Sequence, residues 1–554
     1  MDSLNSSSQD LVDVDGGEQT VLLLDTNDAS ARAPLSSTEV ERTQETMSTL
    51  DDEPEYDSIE DKYGGRYIWV VTLSAALGGL LFGYDSTVIS GVLVMIKDDL
   101  GGVMTPAQEE LITSITSIGA FIGALIAGIM LDKIGRKAVI GVGAVIFALG
   151  SMLQAVAGSV HAMTFGRFVV GIGIGEAAMV APIYIAEISP AKLRGALVTV
   201  DSLAVTGGQC VAGALNIMFQ DATSGWRFSV GIATVPSIIL LLLCFVIPES
   251  PRALISKGKL DEACAVTQKI YPFASPEEVK HKVDSIHHQF ESDHELNGLS
   301  TSEQFKLLFS DTANFRALLV ACGLMAIQQL CGSNSVLYYG PTLFSFIGFG
   351  DPLRVSFVLA VTNFTFTIFA VRYIDVFGKR NFLVYSMWIM PIALFVTAAA
   401  LRTLPLAGNL MAAAPDGMAS GRTGAVIFIS VVVFIASYAV ALGNVPWQGN
   451  ELFPMEVRAL GTMMLTLTNW SANAMVSSSF LSLMQALTPG GTFALYGVVT
   501  LIGWLGVIYC YPEVSGLPLE DIKIVFKHGF GVAYSLKLQK DRKSVSPSQI
   551  VFTL

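Results

Sequence analysis

Asp132-Lys133-Ile134-Gly135-Arg136-Lys137 closes one apolar run of this chain, and Asp375-Val376-Phe377-Gly378-Lys379-Arg380 closes another about 240 positions later. Each hexamer leads within a few residues into a further apolar run. A tight basic turn between two membrane helices marks the side that stays in the cytoplasm. Its recurrence predicts one helical unit built twice.

Composition agrees with a membrane setting. Of the 554 residues, 52% are hydrophobic and only 14% charged, and the mean hydropathy is +0.56. A soluble protein of this size has too few charges here to cover so many apolar helices. Runs long enough to cross about 30 Å of hydrocarbon, roughly 20 residues each, recur throughout. The net charge of −14 says little about partners, because residues 1–66 hold 17 acidic and 4 basic side chains, or −13, leaving −1 for the rest. That acidic, Ser-rich tail reads as disordered, and it lacks the basic and apolar regions of a cleavable signal peptide. The six cysteines fall mostly in apolar runs with no CxxC pair, so they read as small buried hydrophobes.

Twelve spans are expected, near 68–96, 111–131, 138–158, 163–186, 197–219, 228–247, 315–340, 355–374, 382–401, 425–450, 460–484 and 492–511. The predicted organisation is a disordered cytoplasmic tail over 1–66, a six-helix bundle over 67–248 and a cytoplasmic linker with short helices over 249–314. A second bundle over 315–512 and a cytoplasmic tail over 513–554 follow. Lys and Arg concentrate in the connections after spans 2, 4, 8 and 10, which places both termini in the cytoplasm.

Charges and amides inside spans locate the chemistry. A charge at a helix centre costs at least about 2.5 kcal/mol, so it should face a cavity or a partner. Asp85 lies within the first span, and Arg167, near the start of the fourth, is its candidate counter-charge. That pair reads either as a proton switch or as a static ion pair. Glu176 is a second acid in the fourth span, lining a cavity or a helix seam. Gln209, Gln328, Gln329, Asn334, Asn363 and Asn469 are amides in spans, joined by Tyr338 and Trp470. Each amide alone could be interhelical glue. Together they suit a neutral polyhydroxylated ligand, since an anion would call for cavity lysines or arginines. Cys331-Gly332-Ser333 is expected to break the seventh span. Gly443-Asn444-Val445-Pro446-Trp447 should interrupt the tenth as a hinge, with Trp447 facing the ligand.

These pieces resemble the sugar porter branch of the major facilitator superfamily. The resemblance rests on Phe82-Gly83-Tyr84-Asp85, the two repeated turns, Gly166-Arg167, Glu187 with Lys192-Leu193-Arg194-Gly195, Pro248-Glu249-Ser250-Pro251-Arg252, Gln328-Gln329 with Asn334, and Pro512-Glu513. A narrower similarity, to fungal myo-inositol/proton symporters, rests on Val445-Pro446-Trp447-Gln448, Glu451-Leu452-Phe453-Pro454, Thr468-Asn469-Trp470 and Thr206-Gly207-Gly208-Gln209. The resemblance implies an all-α fold of twelve transmembrane helices in two six-helix bundles. It implies Asp85 and Arg167 as the proton-coupling pair. It implies Gln209, Gln328, Gln329, Asn334, Asn363, Trp447, Asn469 and Trp470 as substrate contacts, with Tyr338 beside them. It also implies a conformational latch of Asp132, Arg136, Glu187, Arg194, Glu249, Asp375, Arg380, Glu451 and Arg458. The chain departs from the pattern at Ala459 after Arg458, at Ser333 and at Glu176.

The expected activity is therefore proton-driven import of a neutral polyol, most nearly myo-inositol, across the plasma membrane by alternating access. A hexose porter, a metabolite exporter and a nutrient sensor are the alternatives. No nucleophile–base pair, metal set or phosphate loop points to an enzyme. Neither a cofactor nor nucleic acid is called for, and a single chain in the bilayer suffices.

Overall fold

A computed structural model describes residues 59–296, 301–404, 421–514 and 519–545. Most of the expected acidic tail, and most of the Pro405–Arg422 loop, lie outside the described residues.

The first half contributes α1 (Gly65–Met95), α2 (Pro106–Ile134), α3 (Arg136–Ala155), α4 (Val160–Ile188), α5 (Arg194–Phe219) and α6 (Gly225–Cys244). Local signals set their starts. Thr105 and Gln108 form a reciprocal capping box at α2 with Pro106 in its first turn, and the Ser159 hydroxyl caps α4. Four linker helices follow: α7 (Pro251–Ser256), α8 (Leu260–Ile270), α9 (Pro276–Leu296) and α10 (Thr301–Ser310).

The second half begins with α11 (Thr312–Leu330), which stops at Gly332 in the left-handed region (φ 82°) and resumes as α12 (Ser333–Tyr338) and α13 (Gly340–Ile347). The expected break at Cys331–Ser333 is therefore present. Next come α14 (Pro352–Phe377), α15 (Lys379–Arg402) and α16 (Arg422–Ala441), with a 3₁₀ turn over Val445–Leu452 where Gly443 and Pro446 forbid a regular helix. The chain then forms α17 (Arg458–Ser477), α18 (Phe480–Cys510), α19 (Leu519–Lys527) and α20 (Val532–Val545).

Eleven segments among the described residues are long and apolar enough to cross a bilayer. The one expected span missing from these eleven, the eleventh at 460–484, corresponds to α17. Its 20 residues reach about 30 Å, but Thr462, Thr466, Thr468, Asn469, Ser471 and Asn473 make it polar. A kink at Thr488 (φ 66°), just before Pro489, divides α18 where the sequence predicts the connection between the last two spans.

In the first half α2 and α3 pack on α4, and α1 packs on α5; in the second α15 packs on α16 and α18. Small residues permit the closeness. A Cβ on Gly123 of α2 would lie 2.1 Å from the Ile172 carbonyl of α4, so only glycine fits there. The halves meet along two seams, α2 against α17 and α5 against α14.

Residues 59–64 do not trail as part of the tail. Gly64 donates to the Ile270 carbonyl at 2.8 Å, Lys62 pairs with Glu278 at 2.6 Å, and Glu60 pairs with Lys282. This strap ties the entry to α1 onto linker helices α8 and α9.

Candidate functional site

A cavity of about 190 Å³ lies between the two halves, walled by α1, α4, α5, α11, α12, α14, α16, α17 and the 3₁₀ turn. Its lining includes Gln209, Gln328, Gln329, Asn334, Asn363, Trp447, Asn469 and Trp470. Eight of the nine residues expected to contact substrate thus share one space. Tyr338 is the ninth and stands behind the wall, its hydroxyl accepting from Asn473 Nδ2 at 3.3 Å.

The amides form a connected set. Gln329 donates to Asn469 Oδ1 at 2.6 Å, and its own Oε1 accepts from Asn334 at 2.6 Å and Asn473 at 2.9 Å. The break at Gly332 is what lets Asn334, five residues on, turn back to Gln329. Gln328 joins the set, its Oε1 accepting from Gln329 Nε2 at 3.3 Å, and donates to the Leu442 carbonyl at 2.6 Å where α16 ends. Across the cavity, Asn363 donates to Gln209 Oε1 at 2.8 Å, joining α14 to α5. Phe82 meets the Trp470 ring edge-on at 5.4 Å. Three buried polar atoms in the wall, Trp470 Nε1, Gln448 Oε1 and Asp201 Oδ1, have no hydrogen-bond partner among the described residues. The first two are a donor and an acceptor held ready for a polar ligand.

Asp85 and Arg167 are brought together but do not line the cavity. Arg167 Nη1 lies 2.6 Å from Asp85 Oδ1, and Arg167 Nε donates to the Ile112 carbonyl at 3.3 Å. Asp85 Oδ2 is buried without a partner. Asn473 stands between this pair and the cavity: it accepts from Ser117 of α2 at 2.7 Å and donates to Tyr338. Glu176 does not reach the cavity; its Oε2 faces Gly143 in the seam between α3 and α4.

The expected latch residues gather at the ends of the helices nearest the two basic turns, here called the basic face. Arg136 pairs with Glu187 at 2.9 Å, and Glu187 accepts from the Ser250 hydroxyl at 2.5 Å. The remaining carboxylates and arginines choose other partners. Glu249 accepts the Arg136 and Lys137 backbone N–H groups at 3.0 and 3.2 Å, capping α3. Arg380 donates to the Val507 and Ile508 carbonyls at 2.8 and 2.7 Å and to the Tyr511 carbonyl, closing the end of α18. Glu451 pairs with Lys379. Arg194 is exposed, with no ion pair among the described residues. Arg458 opens α17. The side chains of Asp132 and Asp375 lie outside the described residues.

Sequence reasoning missed several members. Glu513 accepts the Arg380 N–H at 2.9 Å, the same service Glu249 performs for Arg136 in the first half. Gly135 (φ 94°) and Gly378 (φ 82°) make both turns possible. A Cβ would stand 2.3 Å from Glu249 Oε2 or 2.7 Å from Glu513 Oε2. The matching Pro-Glu pairs, Pro248-Glu249 and Pro512-Glu513, were the available signal. Asn473 and Asp201 also line the cavity. Asn473 was readable one helical turn beyond Asn469. Asp201 was readable as an acid eight residues before Gln209.

The profile of the sugar (and other) transporter family matches residues 71–526. Among curated proteins, the chain is 42% identical to Myo-inositol transporter 1 of Cryptococcus neoformans, covering 87% of this chain and 85% of the relative. It is 37% identical to Myo-inositol transporter 2 of Schizosaccharomyces pombe, covering 89% of each. Among solved structures it resembles the Escherichia coli xylose transporter XylE in a partially occluded inward-open conformation. The TM-score is 0.68 at 25% identity, covering 82% of this chain and 100% of that one. The proton:xylose symporter XylE bound to 6-bromo-6-deoxy-D-glucose gives the same TM-score at 26% identity, covering 84% and 100%. The repeated basic turns, the twelve-helix arrangement and these matches together identify the chain as a multi-pass membrane transporter belonging to the sugar (and other) transporter family.

Proposed function

We propose that this transporter imports a neutral polyol, myo-inositol first among candidates, together with a proton. The observation that carries the substrate class is the cavity wall. Among the described residues it presents amides, hydroxyls, indoles and the Asp201 carboxyl and no lysine or arginine, which suits a ring of hydroxyls and offers nothing to an anion. The names of the fungal relatives point to the same compound. Asp85 and Arg167 supply the coupling. A carboxylate sealed against one guanidinium is stable while paired, and a proton on Asp85 removes the charge attraction and loosens α1 from α4. Asn473 and Tyr338 connect this event to Gln329 in the cavity.

In our reading the basic face is cytoplasmic, both termini lie there, and the home membrane is the plasma membrane. The cavity reaches toward that face past Ala178, Pro182, Val198 and Thr199. Toward the opposite face, Glu110 of α2 accepts the Ser482 N–H at 2.8 Å and its hydroxyl at 2.6 Å. The arrangement is that of an inward-facing state with the outer seam shut. Rocking the halves about the site would open the other side, and Arg136–Glu187 would fasten the cytoplasmic ends of the first half.

Energetically, one proton crossing about 100 mV releases about 2.3 kcal/mol, and one pH unit adds about 1.4 kcal/mol. Together they support roughly a 500-fold gradient of a neutral solute. The test is uptake of labelled myo-inositol by proteoliposomes with and without an acid-outside gradient, with glucose as competitor. Accumulation that needs the gradient and resists glucose is expected. Uptake equal without the gradient would sink the coupling, and full competition by glucose would turn the assignment to a hexose porter.

A further inference from the structure

Asp201 has no place in the chemistry above. It lies on α5, two turns from Gln209 along the same face, and lines the same cavity nearer the basic face. Among the described residues it is the only carboxylate in that lining, and the lining holds no lysine or arginine. The residue is 8% exposed, and its Oδ1 is buried with no hydrogen-bond partner. Helix α1 makes the space for it: a Cβ on Gly79 would stand 2.5 Å from Oδ1. The Asp85–Arg167 pair is committed to itself, and Glu176 faces another seam. The Asp201 Oδ1 faces Gly79, itself in the cavity wall, and no cation among the described residues is paired with Asp201.

A carboxylate withdrawn from water with no cation beside it is costly. A neutral polyol can offer it hydroxyl donors but no compensating charge. An ammonium group on the solute offers both, and a charge-assisted hydrogen bond is about twice as strong as a neutral one.

We propose that the cavity also takes amino-substituted polyols, a hydroxylated ring bearing one ammonium group, with Asp201 as the group that receives the ammonium. The proposal extends the polyol reading given above. The amides of α11 and α17 would hold the ring hydroxyls, and the ammonium would point along α5 toward the basic face.

The test is calorimetric titration of the full-length protein in lipid nanodiscs. The ligands are an amino-deoxy-inositol and its parent inositol, at a pH where the amine is protonated. The ammonium compound is expected to bind about tenfold more tightly, and the ratio should fall to near one in Asp201→Asn. Equal or weaker binding of the ammonium compound by the unaltered protein overturns the proposal, and this comparison does not depend on how the variant folds. A preference that survives Asp201→Asn overturns it as well. If the ammonium compound binds and the parent does not, the neutral-polyol reading falls while the role of Asp201 stands. If neither binds, both fall.

Discussion

Arg167 Nη1 approaches Asp85 Oδ1 to 2.6 Å, with the two side chains only 2% and 5% exposed. Burial this deep makes the pair an all-or-none contact. While ionised, each partner compensates the other; with Asp85 neutral, Arg167 keeps acceptors in the Ile112 carbonyl and the Asp85 carboxyl but loses its counter-charge. A pair so sealed and yet one helical turn from Phe82 of the cavity wall can report its protonation to the substrate site.

Asp85→Asn should therefore abolish uphill uptake. The amide cannot cycle a proton, so accumulation driven by one pH unit and about 100 mV together should fall from several-hundred-fold toward about one, while exchange of solute between equal pools persists. Proteoliposome uptake with an imposed gradient, beside counterflow without one, measures both. Preserved accumulation in the variant would refute the proton role.

Gln329→Ala should weaken polyol binding about tenfold, on the basis of roughly one to two lost hydrogen bonds. The side chain also organises Asn334, Asn469 and Asn473, so the loss leaves three amides to reorient. Equilibrium binding of labelled myo-inositol decides it, and an unchanged affinity removes Gln329 from the site.

Most of this arrangement was legible before any coordinates. The basic turns, the run lengths and the position of Pro446 fixed the spans, because hydropathy and Gly/Pro chemistry act locally. Cavity amides were legible for a related reason: Gln329 or Asn469 in an apolar run has to find a partner. Partner choice was not legible. Arg380 takes backbone carbonyls at the end of α18, and Glu451 takes Lys379, because helix-end packing decides which neighbour is within reach. Polar α17 fell short of the hydropathy of a span for the same reason that it lines the cavity. The strap at residues 59–64 was read as tail, since its order comes from contacts with helices some 200 positions away.

Gly135→Ala and Gly378→Ala should each destabilise the protein by about 1–3 kcal/mol. Both force a Cβ into the left-handed region and against a capping carboxylate. Truncating the acids instead, Glu249→Ala or Glu513→Ala, should cost about 1–2 kcal/mol as lost helix caps. Thermal unfolding in detergent micelles checks all four. A glycine variant as stable as the parent would show that the two turns tolerate other backbone geometries.

The strap at Glu60 gives a prediction with a pH sign. Burial alone would raise this carboxyl, but Lys282, the Ala191 N–H at 2.7 Å and the Tyr271 hydroxyl at 3.1 Å outweigh it and hold Glu60 below its ordinary value. A depressed folded-state value means that its stabilisation is fully present above the unfolded value, about 4.3, and is lost as pH falls through the folded one. Between about pH 5 and 8 the strap should stay closed. Glu60→Gln removes the charge-assisted bonds, about 1.5–3 kcal/mol, which should speed hydrogen exchange at residues 59–64 by roughly 10- to 100-fold. The increase should be the same at pH 5.5 and pH 7.5. Exchange in the parent that rises between those two pH values, beyond the intrinsic rate, would show that some other group holds the strap.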